Sequence, residues 1–380
     1  MMNTKINQNK ISKILIVLAC ILSNLSQLPY FVNNDKTQII SIPIWFLLFI
    51  ILLSINRFKI SRQLFKLLLL TIIFIILILT FSIIYNKNYF SSSMIYSLAI
   101  SLFIIIIGSL ISPFFNRDTF QEIVISYVLS SLIVSIVVFI KYFGFGFSLN
   151  TRIYAYSSKN SLSQILFTSV IIFYCYFKPK NNFQNIIKIL IIIFQIFMLV
   201  ILRSRATILG LVIVSFFIIF SKSMNKKKKI IVIIGGILLL ILLFISDNFN
   251  DIVLNNIIFA GRDINDLDNL SSGRISIIRE FPILIKNNWL TGIGPFYFEC
   301  FPLSAILQFG LFAGGILIYI SLLPLITSIK RKSNDLWEIL YFLSIGYFIN
   351  SLFEGLAPFG PGIKCYFLWL LFGILFSMKD

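Results

Sequence analysis

From about residue 12 to about residue 378 the chain is a succession of uninterrupted apolar runs, each of roughly 16 to 25 residues and bounded by charged or turn-forming residues. Runs of that kind leave few folds open. A helix rising about 1.5 Å per residue crosses the roughly 30 Å hydrocarbon layer of a bilayer in about 20 residues. Strands of a membrane barrel would alternate apolar and polar residues, and these runs do not. The runs fall at about 12–32, 39–55, 64–85, 94–112, 122–143, 161–177, 185–202, 206–220, 230–245, 303–329, 336–353 and 363–378. They predict an all-α polytopic membrane protein with about twelve transmembrane helices. Composition agrees: 58% of residues are hydrophobic and 12% are charged, where a soluble domain carries roughly one quarter charged. We read residues 1–380 as one membrane domain, with residues 246–302 as a large extracytoplasmic loop between spans nine and ten, containing short amphipathic helices.

The net charge of +18 invites a nucleic-acid reading, but the placement of charge argues for topology instead. With the N-terminus inside, the cytoplasmic segments collect 20 of the 32 Lys and Arg residues and five of the 14 Asp and Glu residues. Both termini are therefore expected in the cytoplasm, with the bilayer and not nucleic acid as the partner. The run Lys226 to Lys229 is expected to anchor an inner loop against anionic headgroups. Cys20, Cys175 and Cys365 fall in apolar runs and Cys300 stands alone, so neither a disulfide framework nor a metal-ligand spacing is present. "KILIVLACILSN" has the look of a lipoprotein cleavage site at Cys20, yet the apolar run continues past it and reads as the first span.

Ile and Phe fill the spans without period or repeat, so function has to be sought in what is not apolar. Two outward segments stand out. The first, about 144–164, holds Arg152 and Lys159. The second, about 246–302, holds acids at Asp263, Asp266 and Asp268 and a stretch in which Ser271 or Ser272 would cap a short surface helix of about 274–286. Ile275, Ile278, Phe281 and Ile285 share one face of that helix.

Arg203 and Arg205, in "VILRSRATILG", lie at the outer junction of two spans. Snorkelling to the headgroups is the plain reading of such residues. Against it, positive charge outside runs counter to the topology rule, and Arg152, Lys159, Arg274 and Arg279 fall on the same side. Five of these six are Arg, whose planar guanidinium suits bidentate recognition of phosphate. A cationic site at the membrane surface fits a lipid-linked phosphate or diphosphate, whose anion cannot follow its tail into hydrocarbon. Tyr154, Tyr156, Trp289, Phe296, Tyr297 and Phe298 could stack on sugar rings or form the aromatic belt of the interface.

Four patches in order resemble the superfamily of O-antigen polymerases (Wzy type) and O-antigen ligases: "TRIYAYSSKNSLSQILFTSVI", "LRSRATILGLVIV", "SSGRISIIRE…NNWLTGIG" and "LSAILQFGLFAGGILIY". The resemblance covers about residues 152 to 315. It implies a metal-independent and cofactor-free glycosyltransferase acting on glycans carried by undecaprenyl diphosphate, at the outer face of the bacterial cytoplasmic membrane. Arg205 matches the arginine of the Ser-Arg patch, Arg274 that of the Gly-Arg patch, and Arg152 matches less closely. Ligases of this superfamily are expected to carry a histidine shortly before the last Gly-containing helix, and this chain has none. Glu299 stands about where it would, and a carboxylate serves as general base if burial raises its pKa.

The resemblance thus implies a repeat-unit polymerase for capsule, O-antigen or another surface polymer. Arg205, Arg274 and Glu299 would be catalytic, and Arg152, Lys159, Arg203 and Arg279 would bind substrate. A chain-length regulator and a flippase are the protein partners such a pathway would use. Two rivals remain: a ligase that moves polymer to an acceptor without histidine, and a flippase for the same lipid-linked sugars. A flippase predicts charges along a central route and a pseudo-repeat between halves, and the sequence displays neither.

Overall fold

A computed structural model describes residues 2–55, 61–142, 156–221, 266, 268, 271, 273–331, 334–360 and 364–378. Among these the chain is all helical, without strands. The helices in order are α1 (Met2–Leu25), the single turn α2 (Pro29–Asn33), α3 (Thr37–Ile55), α4 (Arg62–Tyr85), α5 (Ser93–Ile111), α6 (Arg117–Tyr142), α7 (Lys159–Tyr176), α8 (Asn182–Ile201), α9 (Arg205–Phe220), α10 (Arg274–Ile285), α11 (Phe301–Lys330), α12 (Asp335–Ser351) and α13 (Tyr366–Ser377).

Six of these, α3, α4, α5, α6, α8 and α11, are long and apolar enough to cross a membrane; the apolar part of α1, with α9 and α13, is shorter. The expected count of twelve is therefore met only in part. The expected ninth span, at 230–245, lies outside the described residues, as do Asp263 and the basic run at 226–229. Two expected spans are corrected. The run at 12–32 is not one helix, because α1 stops at Leu25 and a turn leads into α2, which opens on Pro29. The run at 303–329 is broken at Gly310, where φ 78° and ψ 175° interrupt the helix. An added Cβ on Gly314 would press on the Ala305 carbonyl, so the short arm 301–309 folds back on the long arm 311–330. The long arm alone, at about 1.5 Å per residue, still reaches about 30 Å.

Burial divides the bundle. In α3, α4 and α8 only 22% of the apolar window is covered by protein, whereas Leu162 to Phe173 of α7 and Tyr366 to Phe376 of α13 are buried without a break. α5 and α13 pack with their backbones in contact: a Cβ on Gly108 would meet the Leu370 carbonyl, and one on Gly373 would meet Ile105. Small residues at such crossings allow the close approach that substitutes for the missing hydrophobic drive in lipid. Polar side chains gather on the buried faces of the helices. Gln195 donates to Ser131 and Ser169 at 3.0 and 2.8 Å, Asn24 donates to Ser130 at 2.9 Å, and Thr168 pairs with the Tyr347 hydroxyl at 2.8 Å. No water reaches hydrocarbon depth, so these groups have to satisfy one another.

The helices alternate in direction, which sorts the connections to two ends. At one end Lys13 pairs with Glu122 (2.6 Å), Lys178 pairs with Asp335 (3.5 Å), and Met378 lines a cleft with Arg117, Tyr176 and Asn334. The beginning of α1 and the end of α13 lie there together. Arg203, Arg205, Arg274 and Arg279 lie at the other end.

Candidate functional site at the arginine end

The site is built around the last turn of α12 and the loop that follows it. Arg205 is the first residue of α9. One turn into that helix, Thr207 donates to Asn350 of α12 (3.3 Å), and Ser204 bonds to Thr207 (2.9 Å) and to Asn160 of α7 (3.5 Å). Arg205 is thereby fixed where the starts of α7 and α9 meet the end of α12. Lys159 opens α7 next to Asn160 and joins the same junction. Arg203 makes the turn between α8 and α9 with φ +50°, in the left-handed region. An L residue pays roughly 1–2 kcal/mol there, so Arg203 shapes the backbone as well as adding charge.

Arg274 reaches the same part of α12 from the other side. It opens α10 behind Gly273, which is left-handed at φ +76°. The helix start is capped from upstream: Ile275 N–H donates to Ser271 Oγ (3.2 Å) and Ser276 N–H to Asp268 Oδ1 (2.9 Å). The expected helix of about 274–286 and its serine cap thus coincide with α10 and Ser271, with Asp268 as a further cap that the sequence reading missed. Arg274 Nη2 donates to the Phe353 carbonyl (3.0 Å) and pairs with Glu299 (2.6 Å), and its guanidinium lies 6.0 Å from the Phe353 ring centroid. Its Nε is buried without an acceptor. Arg205 and Arg274 therefore bracket one helix end, with Asn350 on one side and Phe353 on the other.

Arg279 is exposed on α10 and turns away from this junction, because five residues along a helix is about 140° of rotation beyond one turn. Arg152 and Tyr154 lie outside the described residues. Of the proposed stacking aromatics, Trp289, Phe296 and Tyr297 are exposed. Tyr156 and Phe298 are corrected to core residues: both are buried, and the Tyr156 hydroxyl donates to the Gln27 carbonyl at 2.6 Å.

The Gly-Ile-Gly stretch forms the wall beside Glu299. Ile293 and Gly294 N–H groups donate to the Leu307 and Gln308 carbonyls (2.7 and 3.1 Å), and Leu311 N–H donates to Trp289 (2.8 Å), so the turn fills the break in α11. Gly292 and Gly310 face each other there, and a Cβ on either would strike backbone. Lys87, in the α4–α5 connection, donates to Asn288 Oδ1 (3.0 Å) and to the Gly292 carbonyl (2.6 Å). Burial pushes its ammonium below the usual lysine pKa.

Two charged groups absent from the sequence reading lie in the stretch between α12 and α13. Glu354 follows Phe353; desolvation first, then the charges of Glu354 and Glu299, push the Tyr297 phenol up, which puts both carboxylates beside that ring. Lys364, 5% exposed, closes the same loop. Each stands in "FEGLAPFGPGIKCY", where a lone charge among Gly and Pro was the only signal.

Residues 190–315 match the family model described as O-antigen ligase. The match agrees with the resemblance to the ligase and polymerase superfamily, and it spans Arg203, Arg205, Arg274, Arg279, Glu299 and Gly310. That segment is thus similar to the O-antigen ligase family, and the apolar helices mark a multi-pass membrane protein. No curated protein matches the chain.

Proposed function

We propose that the protein polymerises oligosaccharide repeat units carried on undecaprenyl diphosphate, at the outer face of the bacterial cytoplasmic membrane, with both termini inside. The observation that carries the reading is the placing of Arg205 and Arg274 on two sides of one helix end, inside the segment that matches the O-antigen ligase family. A hydroxyl of the incoming unit attacks the anomeric carbon of the growing chain. The bond from that carbon to the diphosphate oxygen breaks, and the lipid diphosphate leaves with the electron pair. Arg205 and Arg274 stabilise the charge that develops on the leaving oxygen, and the unfilled Nε of Arg274 adds a donor. Lys159 and Arg203 add positive potential at the junction, and Arg152 and Arg279 are proposed, from the sequence, to bind substrate.

Glu299 has two roles in succession. It first neutralises Arg274, with which it pairs. A diphosphate that takes over the guanidinium frees the carboxylate, which then accepts the proton of the attacking hydroxyl. Binding of donor thus arms the base.

A second reading, transfer of finished polymer to an acceptor, is favoured by the description of the matched family as O-antigen ligase. The chain has no histidine to act as the ligase base, and we favour polymerisation. Arg205→Ala and Arg274→Ala, with correct membrane insertion verified, are each expected to lower polymer yield about a hundredfold. Unchanged polymer length and yield would overturn the assignment. Polymer that forms and stays unattached in a deletion strain would identify a ligase, and units trapped on the inner leaflet a flippase.

A further inference from the structure

Next to Arg274 the surface turns aromatic and acidic, and the proposed chemistry gives that side no task. Phe298 is buried at 2% exposure, whereas its chain neighbours Tyr297 and Glu299 stay at the surface, Tyr297 at 61%. The segment lies against the stretch that follows α12: a Cβ on Gly355 would strike the Phe298 carbonyl and lie 3.2 Å from Tyr297 Cε2. Glycine is what allows backbone and ring to come so close. Glu354, one residue earlier, is partly exposed, and its charge and that of Glu299 both reach the Tyr297 phenol.

The two carboxylates differ in company. Glu299 has the Arg274 guanidinium at 2.6 Å. Glu354 forms no hydrogen bond or ion pair among the described residues, and the Tyr297 hydroxyl forms no hydrogen bond among them. An ionised carboxylate only accepts, so Glu354 calls for a donor. Carboxylates repel a phosphate, which keeps the lipid diphosphate on the arginine side. A sugar suits the acidic side. Its C–H face packs on an exposed aromatic ring, and its hydroxyls donate to carboxylates at the ring's edge. A hydroxyl of a sugar held on Tyr297 also meets Glu299, the proposed base, two residues along the chain, so the sugar bound there is the one that attacks.

We propose that Tyr297 and Glu354 form the subsite of the attacking sugar, the ring as its platform and the carboxylate as acceptor for its hydroxyls, and that this subsite selects an uncharged terminal sugar over an acidic one. The proposal rests on the polymerase reading, which supplies the two sugars to be told apart. Tyr297 and Glu354 position the substrate, and proton transfer stays with Glu299.

The test is calorimetric binding of the repeat-unit oligosaccharide, released from the native polymer and free of lipid and diphosphate, to the full-length protein in nanodiscs. Tyr297→Ala and Glu354→Ala are each expected to weaken binding about tenfold, and Tyr297→Phe to hold it within about twofold. The same oligosaccharide with its non-reducing terminal sugar oxidised to a uronic acid should bind the native protein about tenfold more weakly, and Glu354→Gln should remove most of that difference. Absence of binding by the native protein, or native affinity in Tyr297→Ala or Glu354→Ala, would overturn the subsite. Equal affinity for the neutral and acidic forms, or a uronic acid as the attacking sugar of the native polymer, would overturn the selection by charge. If Arg205→Ala and Arg274→Ala leave polymer yield unchanged while binding of the oligosaccharide still depends on Tyr297 and Glu354, the polymerase reading fails and the sugar subsite stands.

Discussion

α4 and α13 are both uninterrupted apolar helices, and they solve opposite problems. α4 runs 24 residues and is covered by protein along little of its length; Ile72, Ile76 and Ile83 are exposed, facing lipid in the proposed setting. α13 is half as long, and every residue from Tyr366 to Phe376 is buried, with the Trp369 ring stacked on Phe359 at 5.2 Å. Hydrophobicity in the first answers to the bilayer and in the second to packing. A helix that touches only protein can afford polar atoms, because partners are within reach: the Tyr366 hydroxyl finds the Cys20 carbonyl (3.1 Å) and Asn24 (3.3 Å). The candidate site is built on the buried end of α12, to which α9 and α10 bring Arg205 and Arg274.

The sharpest break of that contrast is expected at the hinge of α11. Gly310 occupies φ 78° and ψ 175°, a region that L side chains avoid, and a Cβ there would strike the Leu290 carbonyl. Backbone cannot swing aside as a side chain can. Gly310→Ala is expected to cost more than about 3 kcal/mol and to abolish folded protein or polymer formation. Gly315→Ala, five residues along the same helix, meets nothing within 4 Å and is expected to be silent. Monodispersity in detergent and polymer yield compare the two; a tolerated Gly310→Ala would mean that the turn does not seat in the break.

Next in size is the carboxylate pair. Glu299→Gln removes the proposed base and is expected to lower the rate about a hundredfold or more. Its effect on stability should be under about 1 kcal/mol, since both members of the Arg274 pair are partly exposed (25% and 39%). Glu354→Gln should change the rate only several-fold. Turnover of a purified lipid-linked unit measures both, and the reverse order would transfer the base to Glu354.

Much of this was legible in advance for a physical reason. Charges in an apolar chain stand out, so Arg205 and Arg274 could be singled out as candidates, their proposed roles coming from the family resemblance, and the cap at Ser271 could be read from a serine before an amphipathic run. What they share could not. Arg274 meets the Phe353 carbonyl 79 positions away, and no local pattern encodes that pairing. The break at Gly310 was hidden because the apolar run continues through it, and hydropathy is indifferent to φ. The burial of Tyr156 and Phe298 was hidden too, because an aromatic near an interface has the same composition whether it faces sugar or core. Lys364 passed unremarked in the sequence, because its low exposure depends on the packing of α13.

The smallest effect is expected where the first contrast began. Ile76 of α4 is 54% exposed and contributes to the lipid-facing side. Ile76→Ala exchanges contact with hydrocarbon tails for slightly different contact with the same tails, and no cavity opens in the protein. Core replacements of Ile by Ala cost about 2–5 kcal/mol because neighbours cannot close the void, whereas lipid is fluid and closes it. The variant is therefore expected to match the parent in unfolding temperature and polymer yield within error. Ile171→Ala on α7, at 1% exposure, removes the same atoms from the buried set and should lower the unfolding temperature clearly. Equal losses at the two positions would mean that α4 is covered by protein in the membrane, by a second copy or another chain, and that the division between lipid-facing and buried helices is drawn in the wrong place.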